Sequence, residues 1–293
     1  MKNIEVIGMP MKYGCFVEGA DLSYEYLKDT FEKVFNIKCN NVVNTELENV
    51  EIHKEDKKIK YLEPVMELSN RLYRKVSTSL EEDNFPIVVG GDHSTCIGSI
   101  SAVLDYYKGD VSVIYIDKHA DIHTEKTTPS GNIHGMPLSI CIGRCDNRFN
   151  IGNYKLNKNN LFFIGLSNYE IEEMNYIQES NIYHLLESEV EKRNALDIVE
   201  DIVKRINTKY VHISLDLDSL KDEEFHAVNV AVENIYNDDK GMNLDKLKDI
   251  LKLLLQKLNV CSMDVVEYNP LLDNGECKKK VEEILVEVKN NRR

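Results

Sequence analysis

Val111-Ser-Val-Ile-Tyr-Ile-Asp-Lys-His-Ala-Asp121 begins as an apolar run and ends in ligating side chains. The run to Ile116 is short, rich in Val and Ile, and bounded by polar residues, which predicts a buried strand. Strand geometry sends alternate side chains to the same side of the backbone, so Asp117, His119 and Asp121 are expected to face one another just past the strand end. Two carboxylates and an imidazole crowded together repel and lose solvation unless a cation joins them. The stretch therefore predicts both a strand and a place for a metal ion at its end.

Outward from this point the chain alternates strand-like and helix-like segments. Ile4 to Met9 precedes an amphipathic stretch from Tyr24 to Phe35, and a helical pattern from about Pro64 to Leu80 precedes Phe85 to Gly91. Further apolar runs lie at Leu161 to Gly165, Tyr210 to Leu217 and Val260 to Val266, with helical patterns at Ala195 to Ile206 and Leu244 to Leu258. This rhythm predicts an α/β fold: a three-layer αβα single domain over residues 1–293, with a mainly parallel sheet. In such sheets ligands bind outside the carboxyl ends of the strands. The charged stretches Lys54 to Lys60 and Lys278 to Lys280 are expected to be solvated, and Asn290 to Arg293 to fray.

Composition narrows the function. Asp and Glu number 50 against 36 Lys and Arg, a formal charge of −14, which argues against a nucleic-acid partner and accommodates a small cationic substrate. No apolar run is long enough to span a membrane. The seven scattered cysteines and a start that leads directly into a strand are expected of a cytoplasmic protein with reduced thiols. Cys141 and Cys145 lack a second matching pair and are expected to be packing thiols.

Two more ligand clusters end strand-like runs. Gly90-Gly-Asp-His-Ser94 follows Ile87-Val-Val89 and precedes an apolar helix, with the glycines permitting a tight turn that presents His93. Ser214-Leu-Asp-Leu-Asp218 closes Tyr210 to Ile213 with an alternating carboxylate pair. Any one cluster alone is ordinary turn and cap chemistry. Together they offer four carboxylates and two imidazoles, a donor set suited to Mn²⁺ among divalent ions. Six protein ligands would close one octahedral ion to water, so a pair of ions sharing carboxylates is the better expectation.

These segments, with Ser130-Gly-Asn-Ile-His-Gly-Met-Pro137 and Ser262-Met-Asp-Val-Val-Glu-Tyr-Asn-Pro270, occur in an order that resembles the ureohydrolases, and among them the bacterial arginases. The resemblance implies an arginase-like fold and hydrolysis of L-arginine to L-ornithine and urea. It implies two Mn²⁺ per subunit: one on His93, Asp117, Asp121 and Asp216, the other on Asp117, His119, Asp216 and Asp218. It also implies that Asp121 accepts a proton during attack on the guanidinium, His134 donates one to the leaving amine, and Glu267 orients the guanidinium. His123, Thr128, Ser130, Asn132 and Glu170 would bind the substrate's α-carboxylate and α-amino group. Trimers or hexamers are common in the family and are the expected assembly.

Five features depart from the family pattern, and the first is Gly19-Ala-Asp-Leu-Ser-Tyr24, which lacks the Gly-Pro usual there. Residues 219–236 lack the usual Gly/Pro-rich turn, with Val230 where a threonine is expected. His123 replaces an asparagine, and Lys118 stands where a small residue is usual, predicted by alternation to point away from the metals. The chain after Asp273 also departs from the usual small-residue helix. Alternative functions are a ureohydrolase for agmatine, another guanidino acid or peptidyl arginine, and a metal-binding homologue with little catalysis.

Overall fold

The computed structural model describes residues 2–47, 59–228 and 241–292. Strands β1 (Asn3–Met9), β2 (Asn41–Val42), β3 (Asn84–Gly90), β4 (Val111–Ile116), β5 (Leu161–Leu166), β6 (Tyr183–Leu186), β7 (Tyr210–Asp216) and β8 (Val260–Val266) form a single sheet. Its order is β2-β1-β3-β8-β7-β4-β5-β6, and every pairing is parallel. The sheet expected from the βα rhythm is present. Its two short members, β2 and β6, are too brief to show in the hydrophobic pattern.

Helices cover both faces, as the buried Val- and Ile-rich central strands require. On one side lie α1 (Ser23–Phe35), α6 (Glu187–Lys192), α7 (Ala195–Arg205), α8 (Leu244–Lys257) and α9 (Glu276–Asn291). On the other lie α2 (Leu62–Glu81), α3 (Cys96–Tyr106), α4 (Pro137–Ile142) and α5 (Ile171–Glu179). Strand β4 feeds both cores by alternation: Ile114 and Ile116 face the first group, Val113 and Tyr115 the second. Helix α7 shows the local logic. Asn194 caps it by accepting from Asp197 N at 2.9 Å, Ala195, Ile198, Val199 and Ile202 form its buried stripe, and Lys204 and Arg205 sit at its negative end.

Residues 290–292 differ from the expected fraying, while Arg293 lies outside the described residues. Helix α9 continues to Asn291, and Arg292 donates to the Lys2 carbonyl at 2.7 Å while stacking on Phe85. These contacts offset the entropy that frays most termini. Of the charged stretch Lys54 to Lys60, residues 54–58 lie outside the described residues, and Ile59 beside Lys60 is buried. All seven cysteines are free thiols. No described helix is long and apolar enough to cross a membrane.

Candidate metal centre and active site

Strands β3, β8, β7 and β4 are adjacent in the sheet, so their carboxyl ends open onto one place. Register aligns Tyr115 with Ser214 and Ser214 with Asp264 across three strands. One residue past the Ile116–Leu215 pair, Asp117 and Asp216 leave β4 and β7 side by side.

Asp117, His119 and Asp121 meet by a route other than the expected pleat. Strand β4 ends at Ile116, and Asp121 lies in the left-handed region at φ 48°. Asp117 accepts from His119 N at 2.7 Å, a short side-chain-to-backbone turn that folds the segment back. The strained backbone at Asp121, and at Glu267 (φ 64°), is held by the surrounding packing, as is common where side chains must be aimed at a site.

His93 follows β3 on a tight turn, but Gly90 and Gly91 have ordinary φ. Glycine is needed for close approach instead: a Cβ on Gly91 would lie 1.7 Å from the Met11 carbonyl oxygen. Asp92 is fully buried and accepts from Gly14 N at 2.8 Å and Ser94 N at 3.0 Å, which clamps the turn onto the loop after β1. Sequence reading left Asp92 without a role, because a capping carboxylate beside a ligand histidine has no pattern of its own.

The centre is buried and crowded. His93 Nδ1 lies 2.9 Å from Asp117 Oδ2, 2.8 Å from Asp216 Oδ2 and 3.4 Å from Asp121 Oδ2. His119 Nδ1 lies 3.0 Å from Asp218 Oδ2 and 3.4 Å from Asp117 Oδ1. One imidazole nitrogen can donate one hydrogen bond, and here three carboxylate oxygens converge on it. His93 Nδ1, Asp117 Oδ2 and Asp218 Oδ1 are buried without a well-directed partner. Such orphaned atoms are costly unless an ion satisfies them. The sets His93–Asp117–Asp121 and Asp117–His119–Asp218 each bring ligand atoms within 4.8 Å of one another.

Electrostatics carry the same mark. Burial and the neighbouring Asp117 push the Asp121 carboxyl up to about 7. Burial, Asp218 and Asp117 drive Asp216 well above the carboxylate range. Burial disfavours charge on His93, but Asp117 and Asp216 outweigh it and raise the imidazole. Protons are thus drawn to the place where a cation's charge would otherwise serve.

Behind the candidate ligands stand residues that the motifs did not single out. Tyr115 stacks on His93, with ring centroids 4.4 Å apart and planes within 8°, and donates to Asp121 Oδ2 at 2.7 Å. His93 Nε2 is 3.0 Å from Ser214 Oγ, which reaches Asp264 Oδ2 at 3.5 Å. Asp264 also takes Ser99 Oγ at 2.7 Å and His212 Nε2 at 3.0 Å. With Ser214 donating to Asp264, its oxygen can accept from His93 Nε2, an arrangement that would free Nδ1 to ligate an ion. Period-two reading backwards from Asp117 reaches Tyr115, and from Asp216 it reaches Ser214 and His212, so a signal for them existed.

At the pocket wall, Glu267 is 4% exposed, accepts from His93 N at 2.8 Å, and lies 3.7 Å from His134 Nδ1. Burial disfavours charge on His134, but Glu267, Asp121 and Asp92 raise it overall. At the outer end, Thr128 accepts from Gly131 N and Ser130 from Asn132 N, shaping the half-buried loop that carries Asn132. His123 uses both ring nitrogens internally, on Thr127 Oγ1 at 3.0 Å and Glu170 Oε2 at 3.2 Å. That hydrogen bond, against a smaller burial effect, draws Glu170 down to about 2. Glu173, unmarked in the sequence reading, holds Ile122 N at 3.0 Å and Glu170 N at 3.1 Å, and burial pushes it up to about 9.

Lys118 is only 8% exposed, and its ammonium lies 3.5 Å from Asp222. Residues 229–236 of the altered segment, with Val230, lie outside the described residues; before them Phe225, Ala227 and Val228 are buried.

A cation centre at the carboxyl edge of a parallel αβα sheet, with an acid–imidazole pair beside it, defines a metal-dependent hydrolase type. Comparison with known proteins agrees. The Arginase family profile matches residues 2–288. An arginase of Bacillus subtilis (strain 168) is 31% identical over 302 residues, covering 98% of this chain and 97% of its own. An arginase of Staphylococcus aureus (strain MRSA252) is 30% identical over 286 residues, covering 94% and 92%. The native arginase structure from Bacillus caldovelox superposes with a TM-score of 0.89 at 27% identity, covering 100% of this chain and 99% of that one. The chain belongs to the arginase family.

Proposed function

We propose that this protein is a dinuclear manganese hydrolase that converts L-arginine and water to L-ornithine and urea. The observation that carries the proposal is the His93 Nδ1 atom facing three carboxylate oxygens, with the Glu267–His134 pair beside it. His93, Asp117, Asp121 and Asp216 would hold one ion and Asp117, His119, Asp216 and Asp218 the other. Bound there, divalent ions supply the charge that makes water nucleophilic at neutral pH.

The chain's own residues do the rest. Glu267, anchored by the His93 amide, presents a carboxylate to the planar guanidinium. Asp121, whose carboxyl is lifted toward neutrality, takes the proton released as water adds to the guanidinium carbon. His134, kept protonated by Glu267, delivers a proton to the departing amine, which otherwise leaves poorly. Glu170, held ionised by His123, offers a partly exposed carboxylate to the α-ammonium group, and Thr128, Ser130 and Asn132 offer donors to the α-carboxylate. His123 takes part through Glu170, since both its nitrogens are engaged.

That engagement favours a second reading in which the substrate lacks an α-carboxylate, as agmatine does. Urea release from arginine, agmatine and guanidino acids, ranked by kcat/KM on Mn-loaded protein, separates the two. A preference for free arginine that disappears in His134→Ala supports the first, and preference for agmatine refutes it. The same proposal includes one domain over 1–293, a cytoplasmic location consistent with the free thiols, and trimeric or hexameric assembly.

A further inference from the structure

Among the described non-glycine residues with positive φ, the aromatic ones are Phe16 (56°) and Tyr61 (54°), and they stack on each other. Their ring centroids lie 4.6 Å apart with planes within 12°, and Tyr13 packs against both, at 6.0 Å and 5.8 Å. A left-handed backbone is costly for a bulky side chain and persists only where its surroundings hold it. Tyr61 is buried at the start of α2, whereas Phe16 is 47% exposed on the loop after β1. A strained backbone that presents a half-exposed ring adds little to the core, so the stack calls for a role at the site it borders.

The two segments that carry these rings hold opposite ends of residues 131–134. Lys60 N donates to the Gly131 carbonyl at 2.8 Å, and His134 N donates to the Gly14 carbonyl at 3.2 Å. Gly14 N in turn donates to the buried Asp92 at 2.8 Å, and Phe16 N closes a turn on the Lys12 carbonyl at 2.6 Å. The contacts make a closed ring that runs from Gly131 to Lys60, from Tyr61 to Phe16, and from Gly14 to His134. Two of its joins are backbone hydrogen bonds, and the third is the aromatic stack. Asn132 and His134 lie on the segment that this ring encloses.

We propose that the Phe16–Tyr61 stack is a latch that holds residues 131–134 against the centre, placing Asn132 for substrate binding and His134 for proton delivery. This role rests on the arginine-hydrolysing reading above. The hydrogen bonds fix each end of the segment to its own anchor, and the stack fixes the two anchors to each other. With the stack open, the ends move independently, and a displacement of about 1 Å at a reacting group can cost up to about 100-fold in rate. Both rings act through the backbone of 131–134 and are positioning residues.

The test uses the Mn-loaded full chain with two readouts: hydrogen exchange across residues 128–136 by mass spectrometry, and kcat and KM for urea release from arginine. Phe16→Gly removes the ring and suits the left-handed backbone, so the fold is kept. It should speed exchange at 131–134 about tenfold. It should also lower kcat/KM about tenfold, mostly through KM, because Gly131 anchors the loop of Thr128, Ser130 and Asn132. Bound manganese should stay at the wild-type level, since no proposed metal ligand lies on the ring of contacts. Phe16→Tyr keeps the stack and should match the wild type in both readouts. Tyr61→Ala should reproduce Phe16→Gly, and the double variant should lose no more than the larger single loss, because either change opens the same stack. Wild-type exchange in Phe16→Gly overturns the latch, whatever the substrate. Faster exchange with unchanged kcat and KM, or equal losses in Phe16→Tyr, overturns the positioning role. A wild type that releases no urea from arginine overturns the arginine reading instead, while the exchange comparison still decides the latch.

Discussion

Replacing Tyr115 by Phe removes one oxygen atom from the wall of the centre and leaves the rest of the side chain in place. The ring is fully buried and stacked on His93, and Phe keeps that stack. What disappears is the 2.7 Å hydrogen bond to Asp121 Oδ2. Burial and the nearby Asp121 charge hold the Tyr115 phenol well above its ordinary pKa, so it stays protonated and able to donate. A hydrogen bond to a charged acceptor is worth about 1.5–3 kcal/mol. Water has little access to replace it, so the metal-stripped variant should lose about that much stability, a fall of roughly 3–8 °C in Tm. Asp121 also loses the contact that orients it toward the ion, and second-layer losses of this kind weaken metal binding by about 10–100-fold. The effect should fall on the proposed His93 position, whose candidate ligands include Asp121. Urea denaturation of stripped protein and calorimetric Mn²⁺ titration of the same preparation measure both. A variant with unchanged denaturation and unchanged Mn²⁺ affinity refutes the argument that Tyr115 orients Asp121.

Asp264→Ala leaves His212 and Ser99 buried without their shared partner, and should cost about 3–5 kcal/mol, whereas Ser99→Ala should cost only about 1 kcal/mol by the same denaturation assay. Gly91→Ala places a carbon 1.7 Å from the Met11 carbonyl, which itself accepts from Asp92 N, so about 3 kcal/mol or more of stability should be lost and His93 displaced. Near-normal stability of that variant contradicts the close-approach explanation. Metal retention should fall as pH falls, because each ligand imidazole and carboxylate must give up its proton to bind an ion and takes it back in acid. Equilibrium dialysis from pH 8 to pH 5 that shows constant occupancy argues against a His/Asp centre.

Much of this was legible in the chain. The runs Ile4 to Met9, Val111 to Ile116 and Val260 to Val266 are dense in β-branched residues and set apart by helical periods, so strand and helix follow from local preference and burial. The ligand types at the ends of three runs carry chemistry strong enough to read without coordinates. Local pattern is weaker where a very short segment borrows stability from its neighbours. Strands β2 and β6 exist because a sheet edge offers them hydrogen bonds, and no periodicity in Asn41–Val42 announces that.

The backbone route at the site was beyond the pattern as well. Alternation correctly brought Asp117, His119 and Asp121 together but assigned the wrong cause, since the strand stops at Ile116 and a left-handed Asp121 completes the turn. His123 shows the same limit: its type admits a bond to substrate, and only its neighbours show both nitrogens already committed to Thr127 and Glu170.

The sequence by itself determined the parallel αβα architecture, the cluster of His and Asp side chains at the strand ends and the guanidine-hydrolysing family, because each depends on residue types at short spacing. The tertiary structure alone decided which buried groups stand behind each ligand. Asp264 is 50 positions from Ser214 and Glu267 is 174 from His93. Contacts at that separation depend on sheet order and register, which set the field around each metal position and leave no local trace in the chain.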